Sequence, residues 1–175
     1  MDAIRTIFVF ILLGVSLGHA QEYETISWHA DKKLKWSDFK AKPQQRGRIA
    51  AVTASGITYK FSSLLGKDKV EIDFTVSTHF YPRKSWYHPE LCDAFILAHE
   101  QHHFDISELY ARKMRRILRE TKFTKNVKAE VGAIYRDIIK ALDAYQKKYD
   151  AETNFSRNAD QQRIWNKRIE EALAR

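Results

Sequence analysis

The chain has a single cysteine, Cys92, among its 175 residues. One thiol excludes an intrachain disulfide, so stability has to come from packing, assisted by a metal if one binds. Long apolar runs are equally scarce. The longest stretch considered, residues 7–13, falls well short of the roughly 20 residues that a spanning helix needs. Acidic residues are outnumbered, with 22 Asp and Glu against 30 Lys and Arg, for a net charge of +8. A basic balance suits anionic partners. However, the clusters Arg112-Lys113, Arg115-Arg116 and Lys147-Lys148 fall mostly on solvent-facing positions of expected helices. No aromatic-interleaved basic motif or helix-turn-helix signal accompanies them, so no nucleic-acid partner is expected. Internal repeats and low-complexity segments are absent, and the length suits one domain.

The first 20 residues read as a secretory signal peptide. Arg5 is the positive n-region, residues 7–13 are the apolar h-region, and Gly18-His19-Ala20 places small residues before a cut at Gln21. No cysteine lies near that cut, which excludes bacterial-style lipid attachment there. The expectation is an exported protein, periplasmic or secreted, with no membrane span once the signal is removed. Removal takes away one basic residue, Arg5, and one acidic residue, Asp2, so the net charge is unchanged. About 155 residues remain as a single domain spanning 21–175, enough to bury a core without staples.

That domain divides into a strand-forming half and a helical half. Trp28 and Trp36 read as anchors that pack an extended N-terminal segment onto the body. Residues 49–61 alternate partially, and 70–78 alternate strictly, with Val70, Ile72, Phe74 and Val76 on one face. The turn 65–69 joins the two as an antiparallel hairpin. From Pro89 the period becomes helical. One helix is expected over 89–119, with Pro89 in its first turn, and a second over 125–149. A polar connector over 150–160 leads to a last helix over 159–173. The fold class is α+β: a short antiparallel sheet, then two long helices and a C-terminal helix.

The chemistry centres on His99-Glu100-Gln101-His102-His103, a His-Glu-x-x-His pattern inside the first long helix. Residues four apart on a helix lie one above the other, so both imidazoles can reach one zinc ion at about 2 Å. Glu100 lies about 80° around the helix from the midpoint of the two histidines. From there it can serve as general base to a metal-activated water without joining the coordination. Two imidazoles and a carboxylate on an inward-facing arc would be costly to bury without a metal or partners.

The third ligand is not fixed by spacing. Asp105 and Glu108 lie about 140° and 160° away, which excludes them without a helix break. His102, about 80° away, reads as packing or capping the site. Glu130, Asp137 and Asp143 lie off the apolar face of the second helix, and His79 and His88 come from upstream. Asp150, expected just past the second helix, is the first candidate because it can swing back toward the first. Tyr110, Tyr145 and Tyr149 read as packing residues, and Cys92 as a small buried hydrophobe. The strand over 70–78 is a candidate open edge for pairing an extended peptide.

Four segments occur in a recognisable order: Leu34-Lys35-Trp36-Ser37-Asp38-Phe39, Ser55-Gly56-Ile57-Thr58-Tyr59, His99-Glu100-Gln101-His102-His103-Phe104-Asp105-Ile106 and Tyr149-Asp150-Ala151-Glu152-Thr153. With them the chain resembles the DUF922 family of bacterial exported proteins, regarded as zinc-dependent peptidases. The resemblance covers most of the mature chain. It implies a zincin-like metallopeptidase with Zn2+ as cofactor, His99 and His103 as ligands and Glu100 as base. The family pattern usually runs Tyr-Asp-x-x-Thr-x-His-Gly, whereas this chain has Phe155 and Ser156 at the last two positions. A ligand drawn from that histidine has no counterpart here.

Two readings follow. The first is an exported zinc-dependent peptidase, or a related amide hydrolase acting on a peptidoglycan cross-link, with a protein or peptide substrate. The second is a zincin-like cell-envelope binding module, catalytically weak or inactive, which uses the basic surface; Phe155 is the residue that favours it.

Overall fold

A computed structural model describes residues 24–43, 49–66 and 69–175. The expected signal peptide, residues 1–20, lies outside the described residues. Among those described, no helix is long and apolar enough to cross a membrane.

The architecture is α+β, as the periodicity implied. Strand β1 (Ile26–Ser27) is followed by β2 (Ala51–Val52), β3 (Ser55–Leu65), β4 (Val70–Phe80) and β5 (Trp86–Tyr87). Helices α1 (Ala94–Glu120), α2 (Val127–Thr153) and α3 (Ala159–Leu173) complete the chain. The main sheet has the order β1-β4-β3, and β2 pairs separately with β5. The expected hairpin is the β3–β4 pair, antiparallel from Ser55↔Phe80 to Leu65↔Val70. Its alternating residues put Ile57 and Val76 into the core while Thr58 and Thr75 stay exposed.

Three boundaries differ from the sequence reading, each for a local reason. The run 49–61 is not one strand. It breaks at Thr53-Ala54, so that 51–52 pairs with β5 and only Ser55 onward joins the hairpin. Helix α1 begins at Ala94 rather than near Pro89. The Asp93 carboxylate caps it, accepting from the Ile96 N–H at 2.9 Å. Pro89 and Glu90 sit instead in a turn held by Leu91 N–H to His88 O. Helix α2 runs one turn past Tyr149 to Thr153, where the Thr153 hydroxyl donates to Tyr149 O. Asp150 therefore lies within the helix and not beyond it.

α1 is central. One side packs on β3 and β4, and the other meets α2 and α3. The shared core joins Ile57 and Val76 of the sheet to Ile106, Met114 and Leu118 of α1. Val131, Ile138 and Tyr149 of α2, with Trp165 and Ile169 of α3, close it from the far side. The surrounded position of α1 explains why His99 through Glu108 are all buried, although only Phe104 and Ile106 among those ten are apolar.

Apart from Glu100, the polar members of that run are satisfied by hydrogen bonds, as burial requires. Asp105 accepts from the Trp28 indole at 2.7 Å and from the Gln101 amide at 2.9 Å. His102 Nδ1 and Lys33 Nζ approach its other oxygen at 3.3 and 3.6 Å. Burial alone would raise the Asp105 carboxyl, but these partners outweigh it and hold the group below its ordinary range. Gln101 also accepts from the Leu34 N–H at 2.7 Å. Glu108 accepts from Thr78 at 2.7 Å and pairs with Arg112 and Arg115. Trp28 thus anchors the N-terminal segment as expected, and Trp36 does so by stacking on Tyr87 at 4.5 Å.

Between α2 and α3 the backbone enters the left-handed region three times, with φ of 48° at Asn154, 52° at Phe155 and 68° at Ser156. A side chain in that region costs about 1–2 kcal/mol per residue. The run turns the chain sharply, and Asn158 then caps α3 by accepting from Gln161 N–H.

Two stability changes follow. Trp28→Phe keeps the ring but removes a donor from buried Asp105, and should cost about 1–3 kcal/mol in urea unfolding. Ser156→Gly relieves a left-handed residue and should raise stability by about 1 kcal/mol in the same assay. No gain would show that the positive φ at Ser156 is not strained.

Candidate metal centre and cleft

His99 and His103 lie one turn apart on the buried stretch of α1, with their Nε2 atoms 3.3 Å from each other. Because α2 returns beside α1 after a short connection, its last turn lies against this stretch. Asp150 Oδ1 stands 3.2 Å from His99 Nε2 and 3.0 Å from His103 Nε2. Among the described residues this is the one group of three or more His, Cys, Asp or Glu arranged to hold a metal ion. A tetrahedral ion with bonds of about 2.0–2.1 Å spaces its ligand atoms about 3.3 Å apart. The two imidazoles and one carboxylate match that triangle in both dimensions and donor type.

Hydrogen bonds on the far side of each ring set its orientation. Gln162 Oε1 of α3 meets His99 Nδ1 at 2.8 Å, and Gln146 Oε1 of α2 meets His103 Nδ1. An amide oxygen can only accept, so each Nδ1 carries a proton. The Gln146 assignment is supported by its amide nitrogen, which donates to His103 O and Ser107 Oγ. Two neutral rings held this way point their Nε2 lone pairs at each other and at Asp150. Such a cluster requires a proton or a metal ion among its three atoms. Burial pushes His103 down, but the Asp150 hydrogen bond and the Glu100 and Asp150 charges reverse this and raise it. Burial raises the Asp150 carboxyl, yet hydrogen bonds from His103 and His99 outweigh it and hold the group well below the usual carboxylate range.

Tyr149 supports the centre from below. Its ring stacks on His99 at 4.6 Å and 17°, and its hydroxyl donates to His99 O. Burial drives its hydroxyl pKa far upward. Tyr149 is therefore a packing residue, as its helical spacing implied, and so are Tyr110 and Tyr145, whose rings pack 5.7 Å apart. Glu100 differs from its neighbours. Its Oε2 is buried and has no hydrogen-bond partner among the described residues.

The other residues weighed as ligands are engaged elsewhere. His102 bonds Asp105, His79 bonds Thr58, and His88 lies 3.3 Å from Glu90. Glu130 accepts from Thr124, and Asp143 pairs with Lys147. Asp137 lies outside the ligand group. The Cys92 thiol donates to Ala50 O at 3.3 Å, and burial raises its pKa.

A cleft of about 680 Å³ opens over the centre. His99, Glu100, His103, Gln146 and Asp150 lie along it, with Ile49 to Thr53 on one wall and Leu91, Ile96 and Phe155 on another. The bordering strand is thus β2. The strand over 70–78, expected as an open edge, contributes no residue to the cleft lining. On the side of β4 away from β3, β1 pairs only with His79 and Phe80, while Trp28 N–H meets Thr78 O and Arg115 meets Val76 O. His88 N–H donates to Ala50 O, which places Ala50 and Val52 toward β5. By the alternation of an antiparallel pair, the backbone groups of Ala51 point away from β5.

Gln146 and Gln162 were not picked out from the sequence, although each left a trace. Gln146 stands one turn before Asp150. Gln162 shares the inward face of α3 with Trp165 and Ile169, a polar residue at a core position.

A family model described as a bacterial protein of unknown function (DUF922) matches residues 21–158. No curated protein and no solved structure matches the chain. The matched segment contains both histidines, Glu100, Gln146 and Asp150, and it stops immediately before α3. With most of its length matched in this way, the chain belongs to the DUF922 family.

Proposed function

We propose that this protein is an exported zinc-dependent peptidase of zincin-like type, with His99, His103 and Asp150 as metal ligands and Glu100 as general base. The observation that carries the reading is the triangle of ligand atoms, with edges of 3.0, 3.2 and 3.3 Å. The residues fit a zinc ion in number, donor type and spacing. The unpartnered, buried Glu100 Oε2 beside them fits a base whose partner is a reactant. A zinc ion held there would acidify a water and polarise a substrate carbonyl.

The chain's own residues account for the rest. Gln146 and Gln162 hold the imidazoles in one tautomer, and Asp150 offsets part of the metal's charge. Glu100 takes the proton from the attacking water and delivers it to the departing amine. The wall at Ile49 to Thr53, with Ala51 backbone groups turned outward, suits an extended peptide lying along β2. Phe155 favours a second reading, that of a catalytically weak envelope-binding module. It is 60% exposed at the cleft mouth, where Ile49 and Leu91 are also exposed.

Metal analysis of purified mature protein should find one zinc per chain, and His99→Ala with His103→Ala should abolish it. Zinc at a hundredfold excess over its Kd should add about 2.7 kcal/mol of stability, which a chelator removes. Glu100→Gln should retain zinc while casein cleavage falls by about 10²–10⁴-fold. A wild-type chain without zinc, or zinc content unchanged in the double variant, would sink the metal reading. Stoichiometric zinc with no cleavage of any peptide or cell-wall amide would leave the binding module standing instead.

A further inference from the structure

Helix α3 lies outside the family match, yet it reaches the centre through one side chain. Gln162 is fully buried, and its amide is saturated. Oε1 accepts from His99 Nδ1 at 2.8 Å, while Nε2 donates to Tyr149 Oη at 2.6 Å and to Asn166 Oδ1 at 2.7 Å. Tyr149 in turn donates to His99 O and stacks on the His99 ring. The imidazole is thus held at its edge, on its face and through its own backbone carbonyl by one connected network. Gln162 is joined to both of the other contacts.

We infer that Gln162 is a positioning residue of the metal centre, and that α3 is part of the site and not a C-terminal appendage. This inference rests on the zinc reading above. Its physical basis is the choice of ring nitrogen. A histidine bonded through Nδ1–H to a fixed acceptor presents Nε2, with its lone pair, to the metal. Without an acceptor at Gln162 the ring can rotate or take the other tautomer, and the His99 corner of the triangle is lost part of the time. Gln146 does the same for His103 from within the matched segment. The two rings are thereby set by helices on different parts of the chain, and the centre is complete only when α3 is docked.

The network also indicates which substitution keeps the function. Glutamate at 162 preserves the acceptor for His99. The Tyr149 hydroxyl can then turn its one proton from His99 O to it, and the Asn166 amide can turn its nitrogen toward it. Leucine has a similar size but no acceptor. Ile169, seven residues on and also buried, packs α3 into the core without appearing among the hydrogen-bond partners of the centre.

The test is the zinc dissociation constant of the full mature chain, by competition with a zinc-binding dye, for wild type, Gln162→Leu, Gln162→Glu and Ile169→Ala. Gln162→Leu should bind zinc about 10–100-fold more weakly, and Gln162→Glu within about threefold of wild type. Ile169→Ala should lower the unfolding midpoint of the metal-free protein but leave the affinity of the folded protein within about threefold. Long-range proton–nitrogen correlations of the zinc-loaded wild type should show His99 protonated at Nδ1 and metal-bound at Nε2. Three results would overturn the inference while leaving the zinc reading intact: wild-type affinity in Gln162→Leu, an equal loss in Ile169→Ala, or an equal loss in Gln162→Glu. A wild-type chain that takes up no zinc would instead remove the zinc reading itself, and this inference with it.

Discussion

Burial of a polar helix is the constraint that organises this protein. Ten consecutive residues of α1, from His99 to Glu108, are withdrawn from water, and eight of them are polar or charged. An unpaired buried polar group costs about as much as several hydrogen bonds return, so each must find a partner. The rest of the chain can be read as the supplier of those partners. The N-terminal segment brings Trp28, Lys33 and the Leu34 amide; the sheet brings Thr78; α2 brings Gln146 and Asp150; α3 brings Gln162. Long-range contacts made to satisfy one helix also define the tertiary structure.

The same constraint separates the groups that support the centre from those left to react. Asp105 and Glu108 are saturated by indole, amide, imidazole, hydroxyl and guanidinium donors, which makes them structural. His99, His103 and Asp150 satisfy one another only if a proton or a cation sits among them. Glu100 is the carboxylate with a buried oxygen left unpartnered among the described residues. Unsaturated groups are concentrated where the helix stops being fully satisfied by its own protein.

Above that point the surface changes character. Three of the exposed large hydrophobic residues, Ile49, Leu91 and Phe155, stand around the cleft. Phe155 is carried by three successive left-handed residues, a backbone that glycine would adopt with less strain. The sharp turn sets its apolar ring at the cleft.

Much of this was legible in the residues. Strict alternation over 70–78 gave the hairpin, because the strand period is set by the backbone alone. The spacing of His99 and His103 placed both on one helical face, and the same geometry excluded Asp105 and Glu108. The bounds of α3 could also be read, since its cap and apolar arc are local. Other features needed the tertiary structure. The start of α1 turned on whether Pro89 or Asp93 ended the turn, and the contact of His88 with Ala50 belongs to a distant strand. Asp150 could be suspected from sequence, but its meeting with His99 and His103 depends on the crossing of α1 and α2. Gln146 and Gln162 leave only a positional trace in the sequence, because their role lies in which ring nitrogen faces them. Local periodicity determined the elements and two of the three side chains of the candidate ligand triangle. Only the packing of α2 and α3 against α1 decided the third, and with it the orientation of the other two.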